Sequence, residues 1–520
     1  MNARAAAARM IVMSLVVCLE SAGAAVAAAQ PTFRVTLDEG AAEAAPAGVV
    51  AGRLVVYLVD EASSIDQPPS AAPFFSEPQP MLGVTVDALR PGESVVVGGD
   101  ADVFPAGGIA PGSYRVQAVL DRFRLNSQWS REPGNLVSGV GRFELAEGGS
   151  PVVELRLGSV VPERELPEAE GVEYRSFESR QLSAPRGRYV AVNAGVILPI
   201  GFDAASDRRY PVVYQVPGFG GDHGSAARQA SRLRGADPAS ALGRLARSVI
   251  WVVLDPEGPN GHHLFLDSRA NGPVGRALVE EVVPAIDSIY PTVSSAEARL
   301  LRGHSSGGWT VIHLALAYPE TFGGAWSSAP DPLDFRAFQA VDIYADNNMY
   351  TDDAGEVRPS YTDRAGVVRM TIADENAMET VMGPANTAGQ QWDSWQAAFG
   401  GVDEQGRPAR LYDERTGSID REVAASYRRV DLAARARRDP AGVGRIARDR
   451  VRVIVGDADE FDLDAGVRLL AETLGGFEFE DEQGWYAIVP GATHGSVLRT
   501  EAGRRLEADL ADAADDAAGR

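Results

Sequence analysis

The chain contains no lysine: all 49 basic residues among its 520 are arginine. That absence excludes a Schiff-base former, a P-loop cation and an amine general base, and several enzyme classes go with them. A nucleotide-composition bias, which would also raise alanine and glycine, accounts for it without any functional cause. Cysteine is almost as scarce. Cys18 is the only one, and it falls in a segment that reads as a leader, so the remainder has no disulfide, no thiolate metal site and no cysteine nucleophile. Beyond the leader no run is long and apolar enough to span a bilayer. Positive charge is also short. A net charge of −23 disfavours nucleic acid and anionic membranes as partners.

Length and apolar content define the rest. With 520 residues, 45 % of them apolar, the chain is too long for one ordinary domain and can fill more than one core. Residues 1–29 carry Arg4 and Arg9, an apolar run over 10–19 and Ala27-Ala28-Ala29 before Gln30. That pattern reads as a secretory signal peptide and predicts a secreted or periplasmic protein. A lipoprotein signal ending at Cys18 is less favoured, because Val17 stands where a small residue should precede the cysteine.

Residues 30–160 read as all-β. The segment 113–120 alternates apolar and polar, as does 153–157, while 52–59 is apolar almost throughout. A small β-sandwich is expected, either shaping the mouth of a site or packing without a ligand of its own. A charged, proline-bounded linker covers 161–171. From 172 to 512 the pattern changes to strands alternating with helices. Strands are predicted over 189–198, 212–216, 249–254, 298–302, 324–327, 451–455 and 486–489, with helices over 224–234, 239–248 and 274–290. This predicts a mostly parallel, doubly wound α/β sheet. Residues 331–450 interrupt the repeat and are expected to form a cap over the carboxyl ends of the strands, including one amphipathic helix over 420–438. Trp392, Trp395 and Phe399 recur at helical spacing, and anchoring the cap is favoured over substrate contact. Residues 513–520 read as a tail in which a last helix frays.

The organising stretch is Gly303-His304-Ser305-Ser306-Gly307. It follows an apolar strand and precedes a helical pattern, the setting of a nucleophile elbow, in which a tight turn lifts the serine hydroxyl clear of the sheet. A serine hydroxyl needs a base and an orienting acid. Six histidines are available, and His494, after the last predicted strand, is the one a loop returns to the elbow. The acid belongs in Gly456-Asp457-Ala458-Asp459-Glu460-Phe461-Asp462. Asp459 is preferred and Asp457 is next, with Glu460 and Asp462 solvated or capping the following helix. The order Ser, Asp, His is that of the hydrolase arrangement. For the oxyanion, the backbone N–H of Ser306 is one donor, and Phe219, in Pro217-Gly218-Phe219-Gly220-Gly221, is the candidate for the other. His262 and Asn271, on the same rim, are candidate substrate-binding residues. A metal on His262 and His263 is disfavoured without a third ligand, so no metal and no cofactor are expected.

These motifs together resemble the putative-esterase group of α/β-hydrolases, which includes S-formylglutathione hydrolases (esterase D), enterochelin-type, feruloyl and acetyl-xylan esterases, and mycolyltransferases. The resemblance covers roughly residues 172–500. It implies an α/β-hydrolase fold, an oxyanion amide at Phe219, and Asp459, two before Phe461, as the acid. One departure stands out: the group usually has His where this chain has Pro217, which puts the loop's supporting hydrogen bonds in question. The resulting expectation is an exported serine carboxylesterase acting through an acyl-enzyme on a small-molecule or glycan ester. The alternatives are acyl transfer to a sugar or lipid hydroxyl and a non-catalytic envelope binding protein.

Overall fold

The computed structural model describes residues 30–44, 48–479 and 482–519; the predicted leader over 1–29, with Cys18, lies outside them. The C-terminal body is built on eight strands: β1 (Val172–Glu178), β2 (Ala191–Ile197), β3 (Val212–Val216), β4 (Ile250–Leu254), β5 (Arg299–His304), β6 (Gly324–Ser328), β7 (Val451–Gly456) and β8 (Trp485–Val489). Their spatial order is 1-2-4-3-5-6-7-8. β2 runs against both neighbours, and every pair from β4 to β8 is parallel. β4 is apolar along its whole length because all five residues are buried, as both faces of a parallel sheet are covered. β1 was not among the predicted strands. Phe177 is its only buried residue, so this edge strand carries little apolar periodicity.

Helices cover both faces, as consecutive side chains on β6 show. Trp326 and Ser327 must point to opposite faces. Trp326 Nε1 donates to Asp509 in the final helix, Glu501–Ala518, at 2.8 Å, and Ser327 Oγ donates to the Gly308 carbonyl in the helix Ser306–Ala317 at 3.0 Å. The final helix corrects the tail expected over 513–520. Leu506, Leu510, Ala514 and Ala517 are buried, and that spacing keeps the helix docked to Ala518.

The N-terminal region forms one nine-stranded sheet that curls over a core of its own. The strand Gly112–Asp121 splits the sheet, pairing along one edge first with Gly141–Leu145 and then with Leu136–Ser138. On its other edge lies Val50–Asp60, which explains the unbroken apolar run. Leu54, Val56 and Leu58 face the internal core, whereas Val55 and Tyr57 face a second cluster with Met370, Met378, Val381 and Met382 of the segment inserted between β6 and β7. Arg53, 2 % exposed, donates from Nε to the Val381 carbonyl at 2.9 Å. A buried cation thus meets the C-terminal turn of the helix Ile372–Met382, where the carbonyls carry negative partial charge. The single helix expected over 420–438 is two, Arg421–Tyr427 and Leu432–Arg438. The break falls at Asp431, whose carboxylate caps the second helix through the Ala434 N–H and also accepts from Phe335 N–H and Tyr344 Oη.

Candidate active site

β5 ends in the turn that exposes Ser305. Its backbone, at φ 57° and ψ −128°, lies where non-glycine residues cost on the order of 1–3 kcal/mol. The flanking glycines are steric necessities. A Cβ on Gly303 would lie 2.1 Å from the Gly307 carbonyl oxygen, and one on Gly307 would lie 2.0 Å from that of Val216. The turn is held by Ser305 N–H donating to the Ser328 carbonyl at 3.0 Å and Asp331 N–H donating to the Ser305 carbonyl at 3.3 Å.

The loops after β7 and β8 press together, since a Cβ on Gly456 would lie 1.9 Å from the Ala492 carbonyl oxygen. This contact brings His494 Nδ1 to 2.9 Å from Asp459 Oδ2. A carboxylate at Nδ1 holds the proton there and leaves Nε2 as the basic nitrogen. Asp459 is anchored in turn, its Oδ1 accepting from Phe461 N–H at 3.0 Å. Glu460 is neither solvated nor a helix cap: its Oε2 accepts the His494 backbone N–H at 2.7 Å. Asp457, exposed, instead accepts the Gly491 N–H at 2.6 Å. Burial alone would lower the basicity of His494. The charge and hydrogen bond of Asp459, then the charges of Asp331 and Glu460, outweigh it and hold the imidazole above its ordinary value. The neighbouring His304 ring, 4.7 Å from that of His494, is pushed down to about 3, chiefly by burial and then by the charge of His494.

The loop after β3 passes beside the elbow. The first N–H of a helix has no acceptor within it, which leaves that of Ser306 available. Among the described residues the Phe219 N–H likewise takes no backbone acceptor.

Residues 190–402 match the model of a family described as Putative esterase. Over that span the chain is similar to that esterase family. Ser305 and Phe219 fall inside the matched span, whereas Asp459 and His494 lie beyond it and rest on geometry. Among solved structures, the chain is similar to a ferulic acid esterase (14 % identity, TM-score 0.34, covering 67 % of this chain and 97 % of that one). It is also similar to an S-formylglutathione hydrolase from Agrobacterium tumefaciens (15 %, 0.35, 68 % and 98 %) and to the fluorophosphonate-binding serine hydrolase F of Staphylococcus aureus (12 %, 0.36, 66 % and 99 %). At such scores these likenesses carry no weight of their own. The search of curated proteins returned no match.

The loop after β3 is supported in a way sequence reasoning missed. His262, expected to touch substrate, is fully buried. Its Nδ1 accepts from Leu264 N–H at 3.2 Å, so Nε2 must be the donor to the Pro217 carbonyl at 3.0 Å. Burial lowers its pKa to about 4, so the ring stays neutral. The loop whose support was in question is therefore tied down by a histidine from the next rim. A second tie comes from the N-terminal region, where Gln128 Nε2 donates to the Gly220 carbonyl at 3.1 Å. Gln128 is itself set by Ser127, which gives both its N–H and its hydroxyl to Glu257 Oε2 at 3.1 and 2.8 Å. Gln128→Ala should lower kcat about tenfold with KM nearly unchanged, because a misplaced oxyanion amide weakens transition-state binding more than substrate binding. Steady-state kinetics check this, and an unchanged kcat would show that the loop holds itself.

Ser305 and His494 line one cavity of about 620 Å³. Its wall is made by Phe75 of the N-terminal region, Trp395 of the inserted segment and Phe461 of the acid loop. Phe75 and Phe461 meet edge-on at 5.3 Å, so the N-terminal region shapes the mouth. Trp395 both anchors and lines: 2 % exposed, it donates from Nε1 to Asp331 Oδ2 at 2.7 Å inside the cavity. Burial raises the Asp331 carboxyl to about 6. Trp392 and Phe399 are fully buried and purely structural. Asn271 is a correction. Buried at 3 % exposure, it accepts from Asn260 and lines a separate cleft with His263 and Arg186. His313 stacks on Trp309 at 5.3 Å, and His223 pairs with Asp255 at 2.8 Å. Among the described residues no group of three side chains could hold a metal ion.

Proposed function

We propose that the protein is a serine carboxylesterase working through an acyl-enzyme, with Ser305 as nucleophile, His494 as base and Asp459 as its orienting acid. The observation that carries this reading is the 2.9 Å contact between His494 and Asp459 on loops that converge at the strained elbow of Ser305. Ser305 Oγ attacks the ester carbonyl as Nε2 takes its proton, and the N–H groups of Ser306 and Phe219 receive the oxyanion. Collapse expels the alcohol, which takes the proton back from the imidazolium and leaves acyl-Ser305. Water then attacks with His494 again as base, releasing the acid and free Ser305. Glu460 fixes the backbone of His494, and Asp331 adds negative charge that favours the imidazolium formed in both steps.

The test is a pre-steady-state burst of 4-nitrophenol from 4-nitrophenyl butyrate, of about one equivalent, together with covalent labelling by a fluorophosphonate that mass spectrometry maps to Ser305. A label on another serine, or no label, would remove Ser305 from the role.

A further inference from the structure

The cavity does not stop at the nucleophile. Beyond Ser305 it continues into the layer between the sheet and the final helix, where Gln229, Arg232, Leu245, Arg302, Glu507 and Leu510 line it. The arm mixes apolar and charged side chains, and it contains a buried cation that the hydrolytic mechanism does not use. Arg302 is 7 % exposed. Its Nη1 donates to the Gly303 and Trp326 carbonyls at 2.8 and 3.2 Å and to Ser328 Oγ at 3.3 Å. All three acceptors are neutral and all sit on one nitrogen. Among the described residues Nε and Nη2 have no acceptor and no carboxylate lies within ion-pair distance. Glu507, the acid of the arm that acts on Arg302, is paired with Arg232. Beside it Gln229 Nε2 is buried without a partner. A largely buried guanidinium is costly unless an anion meets it, and free donors on Arg302 between apolar walls at Leu245 and Leu510 are suited to a carboxylate at the end of an aliphatic chain.

We propose that the substrate is an ester carrying a second, free carboxylate, received in this arm by Arg302 with Gln229 beside it. Arg302 stands three residues before Ser305 on β5, about 10 Å along the strand, which a chain of about five to seven bonds spans. The inference rests on the esterase reading above and adds a substrate class to it. The carboxylate could belong to the acyl or the alcohol half, and two pairs of substrates separate these. For the acyl half, the 4-nitrophenyl monoester of adipic acid is compared with 4-nitrophenyl hexanoate; for the alcohol half, 6-acetoxyhexanoate is compared with hexyl acetate.

In one pair, kcat/KM of the full-length protein should favour the carboxylated member about tenfold or more, the effect of one buried charge-assisted contact. Arg302→Gln should bring that ratio to about one. Gln229→Leu, which removes a donor but no charge, should reduce it severalfold and serves if the arginine variant fails to fold. Calorimetric titration of monomethyl adipate and methyl hexanoate into Ser305→Ala protein reads recognition without turnover. Neutral esters hydrolysed with ratios near one in both pairs, or a ratio that survives both substitutions, would overturn the carboxylate site and leave the esterase reading standing. Selective binding of monomethyl adipate by a protein whose wild type hydrolyses no ester would do the reverse.

Discussion

Ser305→Ala should lower kcat for 4-nitrophenyl butyrate about 10⁶-fold, the scale at which loss of a serine nucleophile removes the covalent pathway and leaves only binding and oxyanion stabilisation. The size of the effect follows from the site's construction. In the proposed mechanism His494 and Asp459 act on a proton of one oxygen, and water in the space left by the hydroxyl would lack the alignment that the turn imposes. The fold should survive. Alanine at φ 57° carries the same backbone strain as serine, and the turn is tied by main-chain bonds from Ser305 N–H and to its carbonyl. Thermal denaturation should therefore change by no more than about 1 kcal/mol. A variant retaining more than about one hundredth of wild-type turnover would show that another group attacks the ester.

Asp459→Asn should cost about 10⁴ in kcat, while Asp457→Asn should leave turnover within about threefold. The two differ by environment, because Asp459 meets the imidazole and Asp457 pins the Gly491 turn. An amide at 459 can donate to Nδ1, which moves the ring proton to Nε2 and removes the basic nitrogen from the nucleophile. The pH profile supplies an independent check. A base must be unprotonated to act, so wild-type kcat/KM should rise with pH through a limb above 6.5, where Asp459 holds the imidazole against the downward effect of burial. With the charge gone, burial prevails and the limb should move to lower pH. A limb that stays in place would mean that the charges of Asp331 and Glu460 set it, and a large loss in Asp457→Asn would assign the acid to the other loop position.

Much of this site was legible in the chain. Gly-x-Ser-x-Gly after an apolar strand marks the elbow because only glycine tolerates the helix and strand at such close range, and β3 through β8 all lie where the strand patterns put them. What escaped was long-range. The sequence 456–462 offers four acids and favours Asp459 over Asp457, but deciding between them requires knowing which one the β8 loop meets. His262 looked like a rim residue, and nothing local reveals that the Pro217 carbonyl would be its partner. Gln128 and Phe75, distant in the chain, carried no signal at all. The break at Asp431 was hidden because residues on both sides keep helical periodicity.

By itself the sequence determined the kinds of element, their order and the strand-turn-helix at Ser305, because each is written in spacings of a few residues that backbone geometry reads directly. Only the tertiary structure decided that Asp459 rather than Asp457 faces His494, that the N-terminal sheet docks on the inserted segment and braces the oxyanion loop, and that an arm with a buried guanidinium leads away from the nucleophile. Those outcomes depend on which atoms packing brings within 3 Å across a hundred or more residues. Hydrogen bonds and steric exclusion act at that distance in space whatever the separation along the chain.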